Sequence, residues 1–224
     1  MKKFFQLQFT RILTGQAPFT RVMLIIVFIG CFGLGGLYKA NHEVGIKIYS
    51  QLVFNLPSIS APWSIFPGIL TSWMLHVGLS HLLINMLGLA LILPSLEQAI
   101  SGKDLLFRML VWNTTGCVVV AAQYAISHPG ESESVVGASC IVYGAAGWLG
   151  VHSANKKIWG IPGWAWSILF LSQCLLDFGH VKGQHIGTGT LGHVTAWTVA
   201  TVWELISTRG AKQPEAQLPP PDKK

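Results

Sequence analysis

Six apolar segments set the limits on what this chain can fold into. They cover, within several residues, positions 22–38, 70–93, 105–126, 135–151, 161–176 and 189–206. A segment that crosses a bilayer must satisfy its own backbone hydrogen bonds, so each segment is predicted to be a helix. Several segments are shorter than the ~20 residues of a straight span and are rich in Gly and Ser. These features favour a helical bundle with a wet interior over a simple membrane anchor.

The composition supports a membrane protein. The chain is 51% hydrophobic and 11% charged, whereas a soluble domain carries about 25% charged residues. The mean hydropathy is +0.50, and 224 residues fit one domain. We therefore predict an all-α membrane protein with a six-helix membrane domain at residues 21–207. A basic cytoplasmic N-terminus at residues 1–20 precedes it, and a disordered, proline-rich cytoplasmic tail at residues 208–224 follows it. The first apolar segment lacks a signal-peptide cleavage pattern and is expected to remain a membrane helix.

The positions of basic residues predict the topology. Cytoplasmic links of membrane proteins are enriched in Lys and Arg, and this rule places both termini in the cytoplasm. The residues on the predicted inner side are Lys2, Lys3, Arg11, Arg21, Lys103, Arg108, Lys156, Lys157, Arg209, Lys212, Lys223 and Lys224. Lys39, Lys47 and Lys182 fall on the outer side and oppose this arrangement. The net charge of +6 is thus explained by topology and not by nucleic-acid binding.

Small residues inside the apolar segments are interpreted as packing positions. We expect Gly88, Gly144 and Gly147 to let the second, fourth and sixth segments approach closely. The four cysteines lack metal-binding or disulfide-framework spacing and are expected to be small core residues. They are Cys31, Cys117, Cys140 and Cys174.

The first outer link, at about residues 40–69, is long and contains apolar and aromatic residues among prolines. They are Tyr49, Leu52, Phe54, Leu56, Trp63 and Phe66. We therefore expect this link to fold as a hairpin in the membrane interface.

Polar residues in the apolar segments point to chemistry. Groups that transfer protons are rare inside a membrane and usually functional. Ser139 begins the fourth segment and His193 lies near the outer end of the sixth, and a hydroxyl with an imidazole is the minimum of a nucleophile and its base. His81 and Asn85 share one helix face, as do Ser139 and Tyr143, because each pair is spaced i,i+4. The predicted topology permits all five residues to meet at one depth near the outer face.

These residues resemble the motifs of the rhomboid intramembrane serine proteases. The motifs are His-x4-His-x3-Asn at His76, His81 and Asn85, Gly-x-Ser-x3-Tyr at Gly137, Ser139 and Tyr143, and His193 after a small residue in the last segment. Their joint occurrence in this order is a fairly specific signal, and the resemblance covers about residues 20–207. It implies a six-transmembrane-helix rhomboid-like bundle.

The resemblance also implies a role for each motif residue. Ser139 would be the nucleophile, and His193 the general base that later protonates the leaving amine. No Asp or Glu occupies a third position, so the pair would be a Ser–His dyad. Tyr143 would pack against the imidazole and hold its orientation.

The remaining motif residues would support the reaction. His81 and Asn85 would donate hydrogen bonds to the oxyanion, together with the backbone N–H of Ser139. Gly137 would let that backbone approach the substrate closely. His76 would support the outer loop and, with His81 and Asn85, line a cavity that supplies water.

The chain departs from the family pattern at three places. Cys140 follows the nucleophile where the family usually has glycine. Ala196 and Ala200 stand where the last helix commonly has glycines, and alanine allows a slightly less close approach. The Trp-Arg pair common in the first outer loop is absent, and Pro67 and Gly68 stand at that spacing.

The sequence therefore predicts an intramembrane serine endopeptidase that acts on transmembrane protein substrates in a lipid bilayer. A bacterial inner membrane is the expected location, and the rhombosortase subgroup remains open. No cofactor, metal or nucleic acid is expected; the outer histidines lack helical ligand spacing with a carboxylate. A catalytically silent, client-binding relative is the first alternative. A small transporter is the second, although such a protein would need charges at mid-membrane depth.

Overall fold

The computed structural model describes residues 9–55, 67–128, 134–158, 160–179 and 188–210, and most residues in these ranges are helical. The helices are α1 Pro18–Ala40, α2 His42–Leu52, α3 Gly68–Thr71, α4 Leu79–Glu97, α5 Gly102–Ser127, α6 Ser139–His152, α7 Gly163–Gly179 and α8 Thr188–Gly210. A 3-10 turn at Ser72–Met74 follows α3. Four two-residue strands complete the described elements: β1 Phe54–Asn55, β2 Ser134–Val135, β3 Lys157–Ile158 and β4 Ile161–Pro162.

The six predicted apolar segments correspond to the six long helices, with two corrected starts. The second segment is not one helix from residue 70. Residues 68–74 form α3 and the 3-10 turn, and α4 begins only at Leu79. The break lies at Gly78, whose φ of +84° cannot occur inside a right-handed helix. The fourth segment likewise starts as strand β2 and becomes helical only at Ser139, after Gly137 with φ +125°.

The first outer link is folded as far as the structure describes it. Helix α2 turns back on α1 and packs so closely that a Cβ on Gly45 would lie 2.6 Å from the Cα of Tyr38. Strand β1 then pairs antiparallel with β2, with Phe54 opposite Val135. This pairing ties the link to the segment just before α6. Leu56, Trp63 and Phe66 lie outside the described residues, as do residues 1–8 and the predicted tail from residue 211 onward.

Helix α6 forms the centre of the bundle and packs against α4, α5, α7 and α8. Glycines make this possible, because a side chain at their positions would collide with a neighbouring helix. A Cβ on Gly88 of α4 would lie 2.8 Å from Val142 of α6, and one on Gly147 would lie 2.5 Å from the backbone oxygen of Trp197 on α8. The expected close approach of the second, fourth and sixth segments is therefore confirmed. Gly144 faces α5 instead, at 2.6 Å from Trp112.

The outer surface of the bundle is apolar, as a membrane requires. Among the described residues, three helices (α1, α4 and α5) are long and apolar enough to cross a bilayer. Large hydrophobic side chains are exposed on several helices, among them Ile29 on α1, Ile84 on α4 and Leu169 on α7. By contrast, Trp112, Trp148 and Leu93 are fully buried in the shared core. The protein is thus an all-α membrane bundle built around α6.

A buried carboxylate joins three helices at the end of the bundle opposite Ser139. Glu204 of α8 is 4% exposed and accepts hydrogen bonds from Arg108 of α5 at 2.9 Å and from His152 of α6 at 2.8 Å. The ring of His152 also stacks on Trp148, with centroids 4.0 Å apart. His152 thus belongs to this buried network.

Candidate active site

Ser139 is the first residue of α6, and the turn before it is held from two sides. The backbone N–H of Gly137 donates to the carbonyl oxygen of Ser72 at 3.1 Å. The backbone N–H of Ala138 donates to Nε2 of His76 at 3.3 Å. A Cβ on Gly137 would lie 2.8 Å from Nε2 of His81, and the positive φ also favours glycine there. The turn at Gly137 therefore determines where α6 begins and places Ser139 beside His81.

His193 of α8 meets Ser139 directly. Its Nε2 lies 2.7 Å from Oγ of Ser139, a good hydrogen-bond distance. The ring of Tyr143 stacks on the imidazole, with centroids 4.3 Å apart and planes 6° from parallel. The Nδ1 atom of His193 is buried and has no hydrogen-bond partner among the described residues. This geometry fits a serine–histidine pair whose imidazole is oriented by stacking, and no carboxylate among the described side chains bonds to it.

His81 and Asn85 face the same space as Ser139 and His193. All four line a cavity of about 360 Å³ that extends from α4 past α6 to α7. Asn85 is buried, and its Nδ2 donates one hydrogen bond to the carbonyl oxygen of His81 at 3.1 Å. Because an amide nitrogen carries two hydrogens, one donor remains for another acceptor. The structure therefore brings together the residues that the motifs predicted to meet.

His76 differs from its predicted place. It lies before α4 and lines a separate cavity of about 270 Å³ between α1 and α2, not the cavity at Ser139. Its Nε2 accepts from Ala138, so this nitrogen carries no proton and the ring is neutral. Its ring also meets that of His81 edge-on, at 4.9 Å between centroids. The residue thus supports the turn before Ser139 and the ring of His81.

Cys140, the main departure from the family pattern, occupies a space made by two glycines. A Cβ on Gly116 of α5 would lie 2.7 Å from Sγ of Cys140, and one on Gly192 of α8 would lie 3.4 Å from it. The larger residue after the nucleophile is therefore matched by small residues on both neighbouring helices. Gly192 is the small residue before His193 in the motif, but the contacts of Gly116 and Gly192 with Cys140 were not predicted, since nothing in the sequence links positions on different helices.

Replacing Gly116 by alanine is expected to destabilise the protein by about 1–3 kcal/mol, because overpacking forces neighbouring groups to shift. Gly116→Ala/Cys140→Gly should recover part of this loss, while the carbonyl of Gly192, 3.0 Å from the new Cβ, keeps the recovery incomplete. Thermal unfolding of both variants in detergent measures the effect. Equal stability of the single and the double variant would show that Cys140 does not fill this space. Gly35→Ala, where a Cβ meets nothing within 4 Å, serves as control.

Two further lining residues were also missed. Phe170 and Gln173 of α7 complete the wall of the cavity opposite α4. The ring of Phe170 meets that of Tyr143 edge-on, at 5.3 Å between centroids. A signal was present in the sequence, because Gln173 is a polar residue within an apolar segment and lies three positions from Phe170, on the same helix face.

A comparison with models of protein families shows to which family the chain belongs. A model described as the rhomboid domain matches residues 63–209, more than half of the 224 residues. The chain belongs to the rhomboid family. The rhomboid match includes Ser139, His193, His81 and Asn85, and it begins after α1 and α2. The comparison with curated proteins gave no match.

Membership of the rhomboid family tells what class of protein this is. Rhomboids are integral membrane proteins, and the family generally consists of intramembrane serine proteases. Rhomboids act on transmembrane substrates. The same family also contains catalytically silent members. Whether this rhomboid cleaves peptide bonds therefore depends on the chemistry at Ser139.

Proposed function

We propose that this rhomboid is an intramembrane serine endopeptidase that hydrolyses a peptide bond in or near a transmembrane segment of its substrates. The observation that carries the proposal is the 2.7 Å distance between Oγ of Ser139 and Nε2 of His193. A serine hydroxyl is a weak nucleophile until a base accepts its proton. The two groups come from different helices, 54 positions apart in sequence.

The dyad acts in two steps. Nε2 of His193 accepts the proton of Ser139 as Oγ attacks the carbonyl carbon, and then delivers it to the leaving amine. Water hydrolyses the resulting ester, with His193 again as the base. The imidazole must keep one orientation through both steps, and the parallel ring of Tyr143 provides this. Stacking takes the place of the carboxylate that a triad uses for the same purpose.

Donors around Ser139 stabilise the oxyanion. The free hydrogen of Asn85 Nδ2 and the ring of His81 face the cavity beside Oγ. The first N–H groups of a helix have no partner within that helix, and Ser139 is the first residue of α6. These N–H groups also lie at the positive end of the helix dipole, which favours a developing negative charge.

The substrate reaches Ser139 through the cavity between α4 and α7. Ile84 is 67% exposed on the lipid-facing side of α4 and also lines this cavity, so the cavity reaches the apolar surface. A transmembrane helix entering here must unwind, because a helical peptide bond is shielded from attack. The freed backbone groups then need partners, which Gln173 and Asn85 supply. Small, helix-destabilising residues in the substrate lower this cost.

The topology follows from the same proposal. We place six spans in the membrane, both termini in the cytoplasm, and Ser139 toward the outer face of a bacterial inner membrane. Helix α6 has 14 residues, a length of about 21 Å, which is shorter than the roughly 30 Å hydrocarbon core. A central helix this short leaves room above Ser139 for the water that hydrolysis consumes.

Replacing Asn85 by alanine is expected to slow cleavage about 10²-fold without unfolding the protein, because one donor to the oxyanion is lost. The measurement is cleavage of a transmembrane test substrate in proteoliposomes, together with thermal unfolding in detergent. Thr198→Ala, which removes a similar bond from a side chain to its own helix, should leave cleavage unchanged. Unchanged cleavage in Asn85→Ala would remove this residue from the oxyanion role.

A further inference from the structure

A basic cavity lies at the end of the bundle opposite Ser139. It measures about 500 Å³, and its charged and polar lining includes Arg11, Lys156, Lys157, His152, Ser95 and Gln98. These residues come from the stretch before α1, the end of α4, and the link that follows α6. The cavity therefore joins three separate parts of the chain.

The positive charges of this cavity are not neutralised by the described part of the chain. Neither Arg11, Lys156 nor Lys157 forms an ion pair with a described residue. The carboxylate of Glu97, on the last turn of α4, accepts from the backbone N–H of Phe19 and of Thr20; it keeps its negative charge but forms no ion pair with these three cations. Glu204 is likewise held by Arg108 and His152.

The helix ends at this cavity do not cancel its charge. The C-termini of α4 and α6 each carry about half a negative charge, about one charge in total. Arg11, Lys156 and Lys157 contribute three positive charges, which exceed the helix ends and the single negative charge of Glu97 together. The balance favours an anion as the occupant.

An apolar groove begins next to the basic cavity. Ile12 and Leu13 directly follow Arg11 and line a second cavity of about 270 Å³, which continues along α1 to Phe28, is closed by Met86 of α4, and is apolar apart from Arg21. Leu13 is 75% exposed and Phe28 is 50% exposed, so this groove is open to the membrane. A basic site that adjoins a membrane-facing apolar groove fits an anionic amphiphile, and neither a free phosphate nor a soluble metabolite would use the groove.

We propose that this end of the protein binds one anionic phospholipid. Its phosphate contacts Arg11, Lys156 and Lys157, and one acyl chain lies in the groove between α1 and α4. Basic pockets between membrane helices on the cytoplasmic side are suited to such headgroups. The proposal does not depend on the proposed proteolysis, because the two sites lie at opposite ends of α6.

The test is thermal unfolding in a neutral maltoside detergent with added lipid. A ligand that binds only the folded protein raises its melting temperature with concentration. Dioleoyl phosphatidylglycerol is expected to raise it, and dioleoyl phosphatidylcholine is not. Lys156→Gln/Lys157→Gln should weaken the apparent affinity for phosphatidylglycerol about thirtyfold. Lys39→Gln/Lys47→Gln, which removes two exposed charges from outside the cavity, is the matched control.

Four results would overturn the lipid site. The first is an equal loss of affinity in both double variants, and the second is an equal effect of the two lipids. The third is the same shift with inorganic phosphate at matched ionic strength, which would make this a site for a free anion. The fourth is equal affinity for dihexanoyl and dioleoyl phosphatidylglycerol, since the groove predicts that the longer chain binds more tightly. Leu13→Asn should weaken binding of the longer lipid alone.

Discussion

Replacing Ser139 by alanine is expected to reduce cleavage of a transmembrane substrate at least about 10⁴-fold, the range typical for loss of a nucleophile. Alanine leaves His193 with nothing to deprotonate, and no other described hydroxyl lies within hydrogen-bond distance of its Nε2. The measurement is the initial rate of cleavage in proteoliposomes, with a substrate labelled on both sides of its transmembrane segment. Ser207→Ala, at an exposed position of α8, should cleave at the wild-type rate.

His193→Ala should give a loss of the same order. Because the two residues act as one unit, the double variant Ser139→Ala/His193→Ala should be no slower than either single variant. Multiplied losses in the double variant would contradict a shared step. A loss that appears only with a lowered melting temperature would point to misfolding instead, so thermal unfolding accompanies each measurement.

Replacing Glu204 by alanine is expected to destabilise the bundle by about 3 kcal/mol. Removing one partner of a buried ion pair leaves the other charge uncompensated, at a cost of about 3–5 kcal/mol. The side chain of Arg108 is 16% exposed, so partial solvation places the effect at the lower end of that range. Loss of the carboxylate also releases His152, and thereby removes ties between α5, α6 and α8.

Equilibrium unfolding in mixed detergent measures this loss. Glu43→Ala, an exposed carboxylate in the first turn of α2, should change stability by less than about 0.5 kcal/mol. A double variant, Arg108→Leu/Glu204→Leu, should be more stable than Glu204→Ala, because no unpaired charge remains. Equal stability of Glu204→Ala and the wild type would show that the network contributes nothing.

Much of the fold could be predicted from the sequence, because a bilayer restricts which structures an apolar segment can adopt. Apolar segments in lipid fold mainly as helices, and their glycines mark close helix contacts, as at Gly88 and Gly147. The predicted topology only permitted Ser139 and His193 to meet, and the resemblance to rhomboid proteases implied that they form a pair. Burying a polar group among apolar helices costs free energy, so the few polar groups that occur at one depth usually have a common function.

Other features could not be predicted, for physical reasons that differ. Hydropathy does not distinguish an apolar membrane helix from an apolar turn that is buried by its neighbours, so the break at Gly78 was missed. The pairing of Phe54 with Val135 is a contact between distant positions, and one sequence carries no signal for it. The place of His76 depends on that folded outer region, which explains why it supports the turn before Ser139 and does not line the cavity.

Because Cys140 stands where the family usually has glycine, a catalytically silent, client-binding rhomboid is the alternative to an active protease. Its side chain fits against Gly116 and Gly192, and Ser139 keeps its 2.7 Å distance to His193 beside it. The question is thus whether the Ser139 hydroxyl is activated, and this can be asked without knowing the substrate.

The most direct measurement is labelling of the purified protein with a fluorophosphonate, followed by mass spectrometry of the labelled peptide. Such a probe reacts with a serine that a neighbouring base has activated. One adduct is expected on Ser139 in the wild type and in Ser207→Ala, and none in His193→Ala, although that variant retains the Ser139 hydroxyl. Absence of labelling in the folded wild type, or equal labelling of His193→Ala, would contradict a Ser139–His193 dyad.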